Sequence, residues 1–355
     1  MKKQAMLQHR GKVQWKYYIN YAIIAAVAIV YAVLSLAGEV KHSDTVLLEK
    51  ISIAIILATS LGMVVGFLGE LSLGHAGFMC VGAYLGGKVS ALLEPTLGNS
   101  FLTLIIALLV GGCAAALFGI IIGLPALRLR GDYLAIVTLA FGEIVRTVVM
   151  NVPESLFGGT LGLVTPRFDK KYLFIIAFGF VLICLAVVQN LLRSKHGRAI
   201  TSIRDNEIAA RAMGIDVTKY KLMVFSVSAF FAGIAGVLYS YTQSRVQSAN
   251  FDYNYSIEIL VMVVLGGIGS INGSIIAATL ITFLNVKLQT KLSGDLAVLQ
   301  NLFYAIVLIA IVIYNNAPGL KSFREKYNLK ALLGKLFRKK RAAVSEGESD
   351  RKEEA

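Results

Sequence analysis

The sequence predicts an all-α, polytopic membrane protein of about ten transmembrane helices with glycine-broken segments, and three observations lead there. The chain is 56% hydrophobic and only 16% charged, with a mean hydropathy of +0.70, whereas a soluble domain is nearer 25% charged. Its apolar runs are long and continuous, which separates them from the short alternating segments of a membrane β-barrel. Five prolines against 33 glycines fit a helical bundle with close backbone contacts.

Runs near the roughly 20 residues needed to cross a bilayer fall at about 17–37, 50–68, 73–92, 101–124, 133–151, 172–192, 222–242, 254–270, 273–290 and 299–315. The third and eighth contain glycine breaks that leave open whether they cross fully or re-enter. Lysine and arginine placement tests this order, because a misplaced span inverts every later loop. With a cytoplasmic N-terminus, the inner segments hold the cations from Lys2 to Lys16, Arg128 and Arg130, the run from Arg193 to Lys221, and the cations after Pro318. Few remain outside, so both ends are expected in the cytoplasm of a cell with an inner membrane of bacterial type. The net charge of +14 is thus accounted for by topology, with no need of nucleic acid.

The division this implies is a cytoplasmic N-terminus at 1–16, a transmembrane domain at 17–316 with a cytoplasmic segment at 193–221, and a basic cytoplasmic tail at 317–355. The opening MKK and the run from Tyr17 to Ala37 carry a Ser35-x-Ala37 pattern resembling a signal-peptidase site. That run is longer than a signal core and many spans follow, so an uncleaved first helix is expected. From Lys321 to Arg341 the tail is basic, with Leu329, Leu332, Leu333, Leu336 and Phe337 spaced for one helical face, as in a helix lying on membrane lipid. Cys80, Cys113 and Cys184 lie in apolar runs without a CxxC pair and read as packing residues.

The stretch Gly62 to Gly87 (GMVVGFLGELSLGHAGFMCVGAYLGG) is apolar, yet it carries Glu70, His75 and repeated glycines. Ionisable groups at membrane depth are costly unless they face protein or water, so two apolar segments with a break near Gly69–Gly74 are predicted. Glu70 and His75 are five residues apart and share no face of an uninterrupted helix; across a break both can reach a central cleft. The alternative for His75 is a hydrogen-bonded packing role. Gly266 to Gly273 (GGIGSING) joins two further apolar runs in the same way, a pattern that marks transport paths in proteins built from repeats. Candidates for the path are Glu70, Ser72, Gly74, His75, Gly77, Thr138, Glu143, Gly266, Gly267, Gly269 and Asn272.

Glu143 and Arg146, at i and i+3, share a helix face and serve either as a structural pair or as polar lining. Arg128, Arg130 and Asp132 stand at an inner mouth. Gly82, Gly87 and Lys88 approach a P-loop spacing, but residue 89 is valine where the magnesium-binding hydroxyl belongs, and the context is an apolar span. No second histidine or carboxylate stands at metal-ligand spacing, and no catalytic constellation is evident.

Between Arg193 and Lys221 (RSKHGRAITSIRDNEIAARAMGIDVTKYK) the sequence predicts a short helix capped by Asp205, braced by Glu207 and Arg211, and ended by Gly214. It offers Ile208, Ala209, Ala212 and Met213 as an apolar face, and so short a helix needs a partner to dock against. Glu207, Ala209, Ala210 and Gly214 resemble the E-A-A…G signature of ABC-importer permeases, with Ile208 where the first alanine is expected. GELSLGHAGFMCVGAYLGG, RLRGDYLAIVTLAFGEIVR and VLGGIGSINGSIIAA resemble the LivM-type permease subunits of branched-chain amino acid importers, over about Ile51 to Asn315. The resemblance implies alternating access, with Asp205, Glu207, Ala209, Ala210, Arg211 and Gly214 coupling to an ATPase. It also implies a second homologous permease subunit, two cytoplasmic ATP-binding subunits that carry ATP and magnesium, and an extracytoplasmic solute-binding protein. Urea or short-chain amide permeases, and less closely an ion-coupled secondary transporter, are the alternatives.

Overall fold

The computed structural model describes residues 42–291 apart from 99, 128, 130, 167, 169 and 244, together with positions among 21–31 and 305–313. The chain divides into two compact units, Met1–Lys291 and Leu292–Ala355; the second is described only at helical positions 305, 306, 309 and 313. The basic tail, the first 16 residues, Arg128 and Arg130 therefore lie outside the described residues.

In the first unit the helices are α1 (His42–Gly62), α2 (His75–Leu97), α3 (Phe101–Ala126), α4 (Asp132–Asn151), the short α5 (Glu154–Phe157), α6 (Lys170–Arg193), α7 (Lys195–Asp205), α8 (Glu207–Ala212), α9 (Val217–Thr242), α10 (Tyr253–Gly266) and α11 (Ile271–Lys291). Among the described residues seven helices are long and apolar enough to cross a membrane, so the chain is an all-α, multi-pass membrane protein. The expected figure of about ten is not reached there: the run 299–315 lies largely outside the described residues, as does much of 17–37. The two doubtful spans resolve in opposite senses. The third becomes α2, of 23 residues. The eighth becomes α10, whose 14 residues rise only about 21 Å, short of the roughly 30 Å hydrocarbon core.

Contact registers give the directions. Gly82 meets Gly233, Gly86 meets Val237 and Ser90 Oγ lies 2.6 Å from the Tyr241 hydroxyl, so α2 and α9 run parallel. Gly74 on Thr138 and Gly77 on Gly142 make α2 and α4 parallel as well. Gly62 faces Ser274, and Asp44 faces Lys287 at 3.7 Å, so α1 and α11 are antiparallel.

The centre of the bundle is built from small residues. A Cβ on Gly82 or Gly236 would enter the backbone of the facing helix, and one on Gly119 would come within 2.7 Å of Ala229 Cβ. In lipid no hydrophobic force draws helices together, so such close approach supplies the packing. The glycines of the near P-loop are used here: Gly82 abuts α9, and Gly87 abuts Thr165. Lys88 Nζ donates to the Ser155 carbonyl at 3.0 Å. Cys80 and Cys184 are buried as expected, but Cys113 is exposed on the outside of α3.

At one end of the bundle, strands β1 (Leu163–Val164) and β2 (Arg245–Val246) pair antiparallel. At the other end α7 and α8 project from α6.

Candidate functional site

The break between α1 and α2 starts directly after α1. Met63–Leu68 is π-helical, Gly69 closes it at φ 81°, and its amide donates to the Val64 carbonyl at 3.0 Å. Such wide turns interrupt a helix where the backbone must be re-aimed. Residues 69–74 are non-helical, and α2 restarts at His75. The break is therefore where the sequence places it. Its polar groups diverge, contrary to a single cleft shared by Glu70 and His75. His75 is buried and its Nε2 lies 2.9 Å from Ser60 Oγ, the packing arrangement allowed for it above. Glu70 leaves the bundle and meets the α7–α8 segment.

That meeting was not foreseen. Lys221, counted above among the loop cations, is the fifth residue of α9, and its side chain is only 4% exposed. Its Nζ donates to Glu70 Oε1 at 2.5 Å and to Glu207 Oε2 at 3.2 Å. A buried ammonium with two carboxylates has its charge offset, whereas either lone partner would be costly there. Beside it, Arg204 Nη1 donates to the Gly66 carbonyl at 3.1 Å. A Cβ on Gly69 would come within 2.7 Å of Arg204 Cγ. Glu70, Arg204, Asp205, Glu207 and Lys221 line a cleft of about 610 Å³. The helical segment outside the bundle is thus tied by charge to the break inside it.

Local chemistry shapes the segment. Ser194 caps α7, accepting from the amides of His196 and Gly197. Asn206, in extended backbone, ends α7 and caps α8 by accepting from the Ala209 amide at 3.0 Å. The cap is Asn206 rather than Asp205: Asp205 closes α7 and pairs instead with Arg204 at 2.9 Å. Glu207 and Arg211 pair at 2.9 Å as their spacing predicts. Gly214, at φ 80°, lets the Ile215 amide reach back to the Ala210 carbonyl at 3.1 Å, a Schellman ending that a side chain would strain. Ala210 is buried against the body of the protein, while Ile208 and Met213 are 75% and 83% exposed. Ala209 and Ala212 are exposed with them.

The remaining candidates fall into two groups. Ser72 is buried with no hydrogen-bond partner for its Oγ among the described residues. Thr138 Oγ1 accepts from the Leu73 amide at 3.0 Å, and a Cβ on Gly74 would come within 2.5 Å of the Thr138 carbonyl oxygen. Gly77 is held against Gly142 in the same seam. Glu143 pairs with Arg146 at 2.8 Å, and its other oxygen accepts from the Tyr253 amide at 3.1 Å. That places a carboxylate at the start of α10, where Asp252 also accepts from the Tyr255 amide, a favourable position beside a helix N-terminus. In the second group Gly266 packs backbone to backbone against Gly273, and a Cβ on Gly66 would lie 2.5 Å from the Gly269 nitrogen. Gly267 and Gly269 have φ of 91° and 83°, and Asn272 is exposed at the start of α11. The two glycine breaks touch at Gly66 and Gly269.

Parallel and antiparallel apolar helices broken at two touching glycine sites, with a charge-linked helical segment beyond one end, define a multi-pass membrane protein of the permease kind. A family model described as branched-chain amino acid transport system / permease component matches residues 45–312, and the chain belongs to that family. It is 36% identical over 260 residues to the high-affinity branched-chain amino acid transport system permease protein LivM of Salmonella typhimurium, which covers 64% of this chain and 60% of that relative. A probable branched-chain amino acid transport permease protein LivM of Methanocaldococcus jannaschii is 25% identical over 308 residues, 75% of this chain and 89% of the relative. The ribose import permease protein RbsC of Escherichia coli is 33% identical over 128 residues, 34% of this chain and 38% of that protein. No solved structure matches.

Proposed function

We propose that this chain is the LivM-type permease subunit of an ATP-driven importer of leucine, isoleucine and valine. The observation that carries this reading is α8: a short helix with an apolar face of Ile208, Ala209, Ala212 and Met213 turned away from its own protein, yet joined through Glu207 and Lys221 to Glu70 at the break. A helix of six residues has no stability of its own, so its rigid ends and outward face suit docking into another chain. Movement imposed on α8 is transmitted to the α1–α2 break by the buried charges.

ATP and magnesium belong on two cytoplasmic ATP-binding subunits. A second homologous permease completes the path, and an extracytoplasmic solute-binding protein delivers the amino acid at the opposite end. The membrane is an inner cell membrane, and the α7–α8 end is cytoplasmic, in line with the cations on that segment. Support for the cargo comes from the family and from the relatives' names.

The test is assembly. Ile208→Asp and Met213→Asp place carboxylates on the docking face, and the ATPase subunit is expected to be lost from the purified complex while the two permeases stay together. Retention of the ATPase with normal uptake would contradict the docking role.

A further inference from the structure

We infer, resting on the permease function proposed above, that α4 is a rocking helix. Its fulcrum lies at Thr138–Glu143, and Glu143 is the positioning residue that holds it. Through α4, movement at the α7–α8 end reaches the far end of the bundle. The fulcrum is pinned on two sides. Toward α2, a Cβ on Gly74 would come within 2.5 Å of the Thr138 carbonyl oxygen and one on Gly77 within 2.6 Å of Gly142 Cα. In the same seam the Leu73 amide donates to Thr138 Oγ1 at 3.0 Å. Toward α10, Glu143 Oε1 accepts from the Tyr253 amide at 3.1 Å, while Arg146 pairs with Glu143 Oε2 at 2.8 Å. The pair offsets the cost of a carboxylate at membrane depth and leaves it charged for its bond to the first amide of α10, a stronger bond than one between neutral groups.

Away from the fulcrum α4 is loosely held. Beyond Glu143, Val81 and Leu85 of α2 and Val145 and Val149 of α4 line a cavity of about 310 Å³, with Phe118 of α3 and Phe157 of α5. Apart from Tyr84, whose hydroxyl donates to the Val246 carbonyl, the lining is apolar throughout. Ile121, Ile144 and Val148 of that lining are exposed, so the cavity opens to the hydrocarbon around the bundle. Acyl tails are as apolar as these side chains, and no hydrophobic force favours one neighbour over the other. Moving α4 into this space therefore exchanges lipid contacts for protein contacts at little cost. Along α4, Tyr133, Ile136, Ala140, Ile144 and Thr147 recur on one face and are all exposed, so none of the described residues of this chain holds that side in place.

The two arms end at different places. At the near end, Gly131 precedes α4 at φ 59° with nothing within 4 Å of a Cβ, and it lines the same cleft as Glu207 and Ile208 of α8. At the far end α4 leads into α5, whose Phe157 stands in the cavity, and from there to β1. At the helical rise of 1.5 Å per residue the near arm, Asp132 to Thr138, is about 9 Å long and the far arm, Glu143 to Asn151, about 12 Å. A push on the near arm is thus returned, slightly enlarged, at the far end, where α4 swings against α2 and the cavity closes. The pair Glu143–Arg146 then serves as the bearing of that motion.

The experiment uses the complete transporter in proteoliposomes, in a background that still takes up leucine after Cys80, Cys113 and Cys184 are replaced by serine. Leu85→Cys with Val149→Cys, far from the fulcrum, and Val81→Cys with Val145→Cys, nearer to it, are oxidised by copper phenanthroline without nucleotide and with ATP and vanadate. The rate at which the far pair joins should differ at least fivefold between the two states, and that of the near pair less than twofold. Joining the far pair should lower leucine uptake at least tenfold, reversibly with dithiothreitol. Val148→Cys replaces Val149→Cys if the first pair does not assemble. Glu143→Ala with Arg146→Ala should raise the ATP hydrolysed per leucine at least fivefold, and Glu143→Gln, whose side-chain oxygen still accepts from the Tyr253 amide, should recover part of that ratio. A merely structural pair would lower the thermal midpoint and leave the ratio unchanged. Rates independent of nucleotide at both pairs, in a transporter that takes up leucine, would overturn the rocking helix and leave the proposed function standing. Equal changes at the two pairs would overturn the fulcrum. A complete transporter that carries no branched-chain amino acid would overturn the function, and the inference with it.

Discussion

The two glycine breaks use one residue type for different ends. In the α1–α2 break, glycine admits side chains: Gly69 makes room for Arg204, and Glu70 turns out to meet Lys221. In the α10–α11 break, the closest approaches are backbone to backbone, with Gly266 on Gly273 and Gly269 on Gly66, and the intervening Ile268 is 62% exposed. The first break carries charge to a segment outside the bundle. The second is a tight hairpin that lets a short helix turn back. Compositional likeness between two glycine-rich stretches thus indicates close approach, and the charged neighbours decide whether anything more is built.

The largest effect that would break the comparison is expected at Lys221. Lys221→Met takes from Glu70 its buried cation and leaves Glu207 its pairing with Arg211, a loss of about 3–5 kcal/mol by analogy with broken buried pairs, read as a fall in the thermal midpoint of the solubilised protein. The double change Lys221→Met with Glu70→Gln should recover part of that loss. Equal midpoints for Lys221→Met and the wild type would mean that the charges are incidental.

At the contact between the breaks, Gly66→Val should cost about 1–3 kcal/mol, because its Cβ would press on the Gly269 backbone, which cannot give way as a flexible side chain can. Gly269→Ala meets ordinary space, 3.5 Å from the Gly66 carbonyl oxygen, and its cost is the left-handed backbone alone, about 1–2 kcal/mol. Thermal unfolding of the pair sharpens the distinction between overlap and strain; a reversed order would contradict it.

The smallest effect on stability is expected at Gly214. Nothing lies within 4 Å of a Cβ there, but φ is 80°, so Gly214→Ala carries the same left-handed strain as Gly269→Ala, at an exposed helix end that can unwind to relieve it, and disturbs only the end of α8. ATP hydrolysis should continue while uptake falls, measured together in the same vesicles; uptake in step with hydrolysis would argue against α8 as the coupling element.

Much of this was legible in the sequence because the signals are local. The Gly69–Gly74 break, the Glu207–Arg211 brace and the ending at Gly214 each depend on residues within one or two turns. Asp205 was given the cap because Asp and Asn are both good caps and adjacent here; the extended backbone of Asn206 decided between them. Lys221 was misplaced for a different reason. Its partners lie 14 and 151 positions away, and charge asymmetry counts any cation near a span end as loop. Helix α10 was overestimated because the glycine-rich turn Gly267–Ser270 is apolar enough to extend an apolar run.

In the proposed mechanism, movement driven by ATP on other subunits enters through α8 and opens a path for branched-chain amino acids. The most direct measurement is uptake of labelled leucine into proteoliposomes holding this chain with the proposed second permease, ATPases and binding protein, with ATP inside either held constant or omitted, and with and without an ionophore. The account predicts uptake that requires ATP and is unchanged by the ionophore. Uptake that persists without ATP and collapses with the ionophore would contradict it.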